Sequence, residues 1–240
     1  MQNDSDTPDS EFVTRMEAVY TQRGYDTDPR YSEFAPPYLQ RVQSMEAAYL
    51  ASLKNLGLHQ RIDQARALDF GCGNGHWMAR IISWGFRQEN LCGADVREGA
   101  VRAARELLPC SKVERSTDGV LPFATDSFDI CFVNLVFTSI LEDTRRIQAA
   151  NELLRVTRPG GAILVVDFRF NNPSNRNVRM LTRGQLQTLF PGCTLLEHRS
   201  LILAPPLAAR IVPWARWLGS ALESVPLLRT HFLAALRKPT

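Results

Sequence analysis

A glycine-rich turn between an apolar strand and a helical pattern constrains this chain more than any other feature. The stretch Ala67–Gly75 is a short apolar segment that reaches an acid, Asp69, and continues into glycines at positions 71, 73 and 75. Glycines at this spacing allow a tight backbone turn and let a ligand approach without a Cβ in the way. The helix that follows directs free backbone N–H groups toward the loop. The sequence therefore predicts a strand–turn–helix unit that binds a ligand.

The positions of the glycines discriminate between classes of ligand. A dinucleotide-binding turn needs its third glycine three residues after the second, and this chain has His76 there and its third glycine one residue earlier. The order D-x-G-x-G-x-G, which begins at Asp69, resembles the first motif of class I S-adenosylmethionine (SAM)-dependent methyltransferases, and most closely the type 11, ubiquinone-biosynthesis-like group. This resemblance covers residues 60–170 and implies SAM as the cofactor, with its methionine end on the loop. A nicotinamide-dependent dehydrogenase is the nearest alternative with a similar fold.

Strand-like and helix-like patterns alternate along most of the chain. The predicted strands cover residues 67–70, 91–95, 112–115, 128–136, 161–168, 193–204 and 230–237. The predicted helices cover residues 38–58, 76–84, 98–108, 143–156, 182–190 and 207–224, with Pro159 expected to stop the helix before the fifth strand. This alternation indicates an α/β fold with helices on both faces of a parallel sheet. The resemblance implies the doubly wound, mostly parallel seven-stranded sheet of Rossmann-like methyltransferases.

The chain is expected to divide into three parts. Residues 1–30 are polar and rich in Asp, Ser and Thr, which predicts a disordered N-terminus. The resemblance implies that residues 31–60 form a helical lid. It also implies a methyltransferase domain over residues 61–240, with a helical insert at 205–226 between the last two strands.

Composition and charge exclude several classes of function. The net charge is only +3 and the arginines are scattered, so the chain lacks the basic tract typical of nucleic-acid binding. The five cysteines form no C-x-x-C pair, which favours reduced thiols and a cytoplasmic protein over a disulfide framework or a zinc site. The polar, acidic start differs from a signal peptide, and no window is apolar enough to span a membrane. No cluster of acids indicates a metal site, so no metal is expected.

The cofactor is expected where the carboxyl ends of the parallel strands meet. Asp95 ends the second predicted strand, about where nucleoside-binding folds place a carboxylate for the ribose hydroxyls, although an acid there also suits the N-cap of the next helix. In the family, a carboxylate or amide near position 118 receives the adenine amino group. The resemblance thus implies the cofactor-binding residues Asp69, Gly71, Cys72, Gly73, Gly75, Asp95, Val96, Asp118, Gly119, Asn134 and Leu135.

Methyl transfer to a hydroxyl needs a general base, and the chain offers few candidates. His76 stands at the start of the first helix after the glycine loop, where the positive helix end would keep it neutral; packing near the methionine end of SAM is the alternative. Asp167 ends the fifth strand and faces the site in one of the two possible registers. His76 and Asp167 are therefore the predicted catalytic residues. His198 and His231, in the closing strands, are expected to be ordinary core or surface residues.

Two segments bear on the acceptor. The run 169–179 contains three arginines and four asparagines at the expected mouth of the site; these suit phosphates and hydroxyl-rich ligands but are also common in solvated turns. Segment 203–226 interleaves tryptophans with arginines, which predicts a lid over the acceptor or a helix on a membrane surface. The predicted substrate-binding residues are Tyr31, Phe137, Arg169, Asn171 and Asn172.

The sequence therefore predicts an enzyme that transfers a methyl group from SAM to a small-molecule acceptor. The first choice of acceptor is a hydroxyl of a sugar, glycoside or phosphorylated metabolite. The second is C-methylation of a lipid-soluble, quinone-like ring, and the third is a SAM-binding protein without catalysis. No nucleic-acid partner is expected, while contact with a membrane or a lipid-linked substrate and the oligomeric state stay open.

Overall fold

The computed structural model describes residues 8–24, 28–117, 119–172 and 175–240. Its seven strands form one sheet in the order β3-β2-β1-β4-β5-β7-β6. Strands β1 to β5 pair in parallel, and β7 runs antiparallel to both β5 and β6. This confirms the doubly wound, mostly parallel sheet. The strands are β1 (Ala67–Phe70), β2 (Leu91–Asp95), β3 (Lys112–Arg115), β4 (Phe128–Asn134), β5 (Thr157–Phe168), β6 (Thr194–Leu203) and β7 (Arg229–Arg237).

Helices cover both faces of the sheet because the central strands are apolar on both sides. Along β4, Ile130 and Phe132 pack into one core cluster, whereas Cys131 and Val133 pack into the other. The first cluster contains residues of α2, α3 and α4, and the second contains residues of α5 and α6. The helices are α1 (Pro8–Arg23), α2 (Pro36–Asn55), α3 (His76–Ser83), α4 (Glu98–Leu107), α5 (Asp143–Val156), α6 (Arg183–Leu189), α7 (Pro205–Ile211) and α8 (Arg216–Glu223).

The N-terminal segment differs from the disorder predicted for residues 1–30. Helix α1 forms over Pro8–Arg23, and residues 1–7 and 25–27 lie outside the described part. Phe12 packs against the second core cluster, Met16 is buried, and the Arg15 guanidinium donates to the Ser139 carbonyl at 2.8 Å. Phe12, Met16 and Tyr20 recur at helical spacing, so one apolar stripe stabilises a helix that is polar elsewhere.

Two further boundaries differ from the predicted ones. Helix α5 ends at Val156, and β5 begins at once and runs through Pro159, which therefore does not stop the helix. The Thr157 side chain donates to the Leu153 carbonyl at 2.6 Å at this junction. The predicted helix 207–224 is two helices, α7 and α8, separated by a bend at Val212–Ala215 that contains Pro213. A proline inside a helical pattern removes a backbone donor and bends or ends the helix.

Candidate active site

The glycine loop lies across the ends of β1 and β2. Gly71, Gly73 and Gly75 all adopt positive φ values of 76°, 54° and 84°, a region that residues with a Cβ rarely enter. The backbone N–H groups of Gly71 and Cys72 both donate to the Ala94 carbonyl of β2, at 2.7 and 3.0 Å. The alternating glycines are therefore required by the backbone of the turn itself.

Replacement of Gly71 by alanine is expected to destabilise the fold by about 2–4 kcal/mol. The new Cβ would lie 2.5 Å from Val136 Cγ2 and would also force alanine into the left-handed region. Urea unfolding measures the effect. Gly99→Ala in α4 is the matched control, since its Cβ would meet nothing within 4 Å and alanine favours a helix by up to about 1 kcal/mol. Equal stability of the Gly71→Ala protein and the wild type would contradict this account of the loop.

Asp95, at the end of β2, joins the glycine loop to the segment that follows β2. Its Oδ2 accepts the Gly73 N–H at 2.9 Å, and its Oδ1 accepts the Arg97 N–H at 2.9 Å and Arg97 Nε–H at 3.3 Å. Arg97, not Asp95, is the N-cap residue of α4. Asp95 is therefore not the N-cap of α4, which was the alternative role suggested by the sequence. It is held at the loop, with 8% of its surface exposed.

A cavity opens between these loops and is covered by α1. Phe12, Met16 and Tyr20 of α1 form one side of it. The predicted cofactor-binding residues on its wall are Gly71, Asp95, Val96, Gly119, Asn134 and Leu135. Asp69, Cys72, Gly73 and Gly75 belong to the adjacent strand end and loop rather than to the wall, and Asp118 lies outside the described residues. The Arg97 guanidinium lies 3.8 Å from the centre of the Tyr20 ring, which attaches α1 to the segment after β2.

Asp69 is a buried carboxylate with both oxygens unpaired. It is 1% exposed, and neither Oδ has a hydrogen-bond partner among the described residues. Burial, with a smaller contribution from the negative charge of Asp95, raises the pKa of Asp69 to about 7. A buried charge without a partner is costly, so this position beside a ligand loop suits a cationic ligand group.

Tyr49 of α2 reaches the end of β4, a contact that the sequence analysis missed. Its hydroxyl donates to Asn134 Oδ1, while the Asn134 Nδ2 has no partner among the described residues. Burial, together with the negative charges of Asp69 and Asp167, raises the pKa of Tyr49 well above its usual value. The phenol therefore stays protonated and orients the Asn134 amide. The helical spacing of residues 38–58 does place Tyr49 on the buried face, but spacing alone does not identify the polar atom that it meets.

The two predicted catalytic residues are not brought together. Asp167 is fully buried; its Oδ2 accepts the Thr138 N–H at 3.0 Å and its Oδ1 accepts the Phe168 N–H at 2.7 Å. Burial raises the pKa of Asp167 to about 7, but its oxygens hold two backbone segments together. The register of β5 directs it toward the second core cluster, so its position does not support contact with an acceptor. His76 is an exposed residue at the start of α3 and does not line the cavity.

The predicted substrate-binding residues mostly serve the fold. The Arg169 guanidinium donates to the carbonyls of Pro226 and Arg229, both at 3.0 Å, and Asn171 Oδ1 accepts the Met180 N–H at 2.8 Å. Phe137 is buried in the core against Phe190, so it does not form a pocket wall. Asn172 is exposed, and the Tyr31 ring packs edge-on to the Tyr38 ring. Arg169 and Asn171 are therefore hydrogen-bonded to backbone groups of this chain, which requires no ligand.

His231, which the sequence predicts to be an ordinary core or surface residue, is buried and has an unpaired ring nitrogen. It is 1% exposed, its Nδ1 lies 3.0 Å from Thr230 Oγ1, and its Nε2 has no partner among the described residues. It pairs with Phe168 across β5 and β7, at the carboxyl end of β5, and the two rings lie 4.3 Å apart. Burial, reinforced by the positive charge of Arg41, holds the pKa of His231 well below its usual value.

His231 and Asn134 lie on the same face of the sheet. In β7, Leu233 packs into the first core cluster and Phe232 into the second, so His231 shares the face of Leu233. Asn134 pairs with Val166, which packs into that first cluster too. Two strand spacings separate β4 from β7, which is about 10 Å. Unpaired polar atoms of Asp69, Asn134 and His231 therefore follow the carboxyl edge of the sheet on the side of α2.

Comparison with known proteins identifies the family of this chain. A protein-family model described as a methyltransferase domain matches residues 68–165. The ubiquinone/menaquinone biosynthesis C-methyltransferase UbiE of Syntrophotalea carbinolica is 30% identical over 178 residues, which cover 70% of this chain and 71% of that protein. The chain belongs to the SAM-dependent methyltransferase family.

Two further proteins are similar to this methyltransferase in sequence or in fold. A malonyl-[acyl-carrier protein] O-methyltransferase of Methylococcus capsulatus is 31% identical over 122 residues, and the match covers 50% of this chain and 42% of that protein. The chain thus spans less than half the length of that relative. The structure of a putative sarcosine dimethylglycine methyltransferase of Galdieria sulphuraria has a TM-score of 0.62 at 17% identity, covering 81% of this chain and 85% of that one. At this identity the likeness shows the fold.

The residues of this methyltransferase fit SAM. The cofactor carries a cationic ammonium group at its methionine end and two ribose hydroxyls, and the structure offers an unpaired buried carboxylate at Asp69 and a cavity-lining carboxylate at Asp95. Carboxylate oxygens accept hydrogen bonds from both kinds of donor. Asp69 would hold the ammonium group and Asp95 the ribose hydroxyls. Among the described residues no cluster of three or more His, Cys, Asp or Glu side chains could hold a metal ion.

The Asp69→Asn variant is expected to be more stable than the wild type at about pH 8. With its folded-state pKa raised to about 7, the wild-type carboxyl keeps a proton that the unfolded chain releases near its ordinary pKa of about 4. The stability from this proton is complete below about pH 4 and is lost as the pH rises through about 7. An amide carries no such proton, so the variant's advantage in free energy of unfolding should grow over that range. Urea unfolding across pH measures it, and a constant difference would contradict the buried, unpaired state of Asp69.

The same variant is expected to change the pH dependence of cofactor binding. Binding of S-adenosylhomocysteine (SAH) to the wild type should strengthen between about pH 6 and 8, because Asp69 loses its proton and gains attraction for the ligand ammonium. In Asp69→Asn this rise should be absent and binding at the upper pH weaker. Calorimetric titration measures both. The same rise in the variant and the wild type would assign the ammonium group to another residue.

Proposed function

We propose that this methyltransferase transfers the methyl group to a hydroxyl oxygen of a small-molecule acceptor bound on the α2 side of strands β4, β5 and β7. The observation that supports it is the buried, unpaired Nε2 of His231 at the carboxyl end of the sheet. A neutral imidazole with a free ring nitrogen can accept a proton. Burial keeps this imidazole uncharged near neutral pH, so its free Nε2 is available to accept the proton of a hydroxyl.

The residues of this chain need to supply only part of the chemistry of methyl transfer. Bound SAM supplies a methyl group on a positively charged sulfur, which is already activated for displacement. The protein must align the acceptor oxygen, remove its proton and exclude water, and alignment contributes much of the rate. Asn134, held by Tyr49, presents an amide N–H for orienting the acceptor oxygen. His231 Nε2 would take the hydroxyl proton as the acceptor oxygen bonds to the methyl carbon and the carbon–sulfur bond breaks, with SAH as the leaving group, and the resulting imidazolium would later release that proton to solvent.

The structure favours a hydroxylated, ring-bearing acceptor over a sugar or a phosphorylated metabolite. Arg169 and Asn171, which motivated the polar acceptors, are bonded to the backbone of this chain. Aromatic side chains lie along this face instead: Tyr49 of α2 belongs to the first core cluster, and the centre of the Phe168 ring lies 4.3 Å from that of the His231 ring. Aromatic walls suit a flat ring with few polar groups.

C-methylation is the second candidate, because the relative UbiE is named a C-methyltransferase of ubiquinone and menaquinone biosynthesis. A phenolic ring that has lost its proton to the same base is nucleophilic at ring carbon as well as at oxygen. A cytoplasmic location is proposed on separate grounds: all five cysteines are free thiols, which suits a reducing compartment.

The test is to incubate the protein with methyl-labelled SAM and a panel of acceptors: a catechol, a quinol, a phenyl glycoside and a sugar phosphate. Carbon NMR of the product tells a methyl ether from a ring methyl. The proposal expects a labelled methyl ether on a phenolic ring. A ring methyl would favour the second candidate, and a methylated sugar would restore the acceptor predicted from sequence. Retained SAH binding with no labelled product from this panel would overturn the proposal, and the same failure with a full cell extract would favour a SAM-binding protein without catalysis.

A further inference from the structure

The segment between β6 and β7 exposes more large apolar side chains than any other described segment of similar length. Trp214 is 89% exposed, Trp217 74% and Leu227 86%. A concentration of exposed large apolar side chains in one segment is typical of a site that contacts a partner or a membrane. Helices α7 and α8 form this segment, which we call the tryptophan cap, together with the residues up to Leu228.

The inner side of the tryptophan cap is firmly attached to the rest of the protein. Glu223 of α8 accepts hydrogen bonds from Gln40 Nε2 at 2.8 Å and Ser44 Oγ at 2.6 Å, both on α2. Gly219 packs so closely on Gln40 that an added Cβ would lie 2.7 Å from its Oε1. The tryptophans therefore point outward from a fixed support, and their exposure does not arise from an undocked helix.

The tryptophan cap lies at the same edge of the sheet as the active site. Strand β7 runs antiparallel to β5 and begins beside the carboxyl end of β5, where Phe168 pairs with His231. Arg169, just past that end, donates to the Pro226 carbonyl of the cap at 3.0 Å. Phe170, its neighbour, is also half-exposed. The exposed aromatic surface and His231 therefore belong to the same edge of the sheet.

The charge of the tryptophan cap is positive on the exposed side. Between positions 204 and 222 the only charged residues are Arg210 and Arg216, and both are exposed. Arginine next to tryptophan, with no neighbouring acid, complements the anionic headgroups and the interfacial region of a lipid bilayer. Trp214 lies in the bend between α7 and α8, and Trp217 lies in the first turn of α8.

We propose that the tryptophan cap docks this methyltransferase on an anionic membrane surface, with Trp214, Trp217 and Leu227 inserted at the headgroup level. None of the described helices combines the length and apolarity needed to cross a bilayer, so this contact would be peripheral. The proposal deepens the proposed function, on which its choice of a lipid-associated, ring-bearing acceptor rests. The docking itself does not depend on turnover.

The experiment is co-sedimentation of the full chain with vesicles. Vesicles of phosphatidylcholine mixed with phosphatidylglycerol should bind the protein, and pure phosphatidylcholine should bind it at least about tenfold more weakly. The double variant Trp214→Ser/Trp217→Ser and the double variant Arg210→Gln/Arg216→Gln should each lose about tenfold or more in vesicle affinity. Leu107→Ser/Ile147→Ser, which removes two exposed apolar side chains elsewhere, is the matched control and should bind like the wild type.

SAH calorimetry on the same preparations separates failure of docking from failure of the fold or of the proposed function. Wild-type protein that binds SAH but sediments with neither vesicle would overturn the docking proposal and leave the proposed function intact. Equal vesicle binding by the tryptophan double variant would overturn it as well. Light scattering that shows a dimer, dissociated by the tryptophan substitutions, would overturn it by assigning this face to a second copy of the chain.

Discussion

The His231→Gln variant is expected to lose about 10²- to 10³-fold in kcat while it binds SAH like the wild type. The glutamine amide cannot take up the proton of the acceptor hydroxyl. His231 lies on the α2 face near the start of β7 and does not line the cavity that suits the cofactor. Loss of a general base acts on the chemical step, so the KM for the acceptor should change far less than kcat. Initial rates with a saturating acceptor, together with SAH calorimetry, measure the two effects.

The chain supplies a matched control in the neighbouring strand. His198 in β6 also has an unpaired Nε2 and a pKa that burial lowers, but it stacks on Phe232 and therefore lies on the opposite face. His198→Gln should keep wild-type turnover, with a comparable disturbance of the β6–β7 pair. Equal losses in the two variants would show a purely structural effect. Unchanged turnover in a folded His231→Gln protein would remove the proposed base.

The Asp95→Ala variant is expected to weaken SAH binding by about 30-fold or more, equivalent to roughly 2 kcal/mol or more. The substitution removes the acceptor for the ribose hydroxyls and also the acceptor that holds the Gly73 and Arg97 N–H groups at the loop. Turnover at subsaturating SAM should fall in parallel, while kcat at saturating SAM should fall less. Calorimetric titration with SAH measures the affinity.

Asp63→Ala is the matched control. This substitution changes the net charge by the same amount, and Asp63 is exposed and lies outside the cavity. Its SAH affinity should equal that of the wild type. If Asp95→Ala bound SAH as tightly as Asp63→Ala does, the cavity beside β2 would not be the nucleoside site.

Most of the fold could be predicted because its signals are local. Strands such as β2 and β4 consist mainly of apolar residues. The positive φ values of the loop favour glycine, and the sequence therefore has glycines at these positions. Helix α1 is stabilised by Phe12, Met16 and Tyr20, which contact the rest of the protein. The composition of residues 1–30 is mainly polar and does not reveal these three side chains, so it predicts disorder instead. The bend at Pro213 is harder to predict, because a single proline interrupts a helical pattern that extends over residues 207–224.

The active site could be predicted only in part. Asp95 and the loop follow from spacing along the chain, whereas the contact of Tyr49 with Asn134 joins segments far apart in sequence. A histidine in a strand pattern is usually a core residue, so the sequence does not single out His231. The face of the sheet on which His231 lies depends on the strand register, which one sequence does not contain. Arg169 is the opposite case: its charge suggests contact with a ligand, whereas in the structure its guanidinium donates to the Pro226 and Arg229 carbonyls.

A crystal structure of the protein with bound SAH tests the central claim most directly, because it places one adenosyl ligand against both carboxylates. We expect the ribose hydroxyls within about 2.5–3.0 Å of the Asp95 oxygens, the ammonium group at Asp69, and the sulfur at the edge between β1 and β4. A well-defined SAH whose ribose lies away from Asp95, or whose ammonium group leaves Asp69 unpaired, would contradict the account.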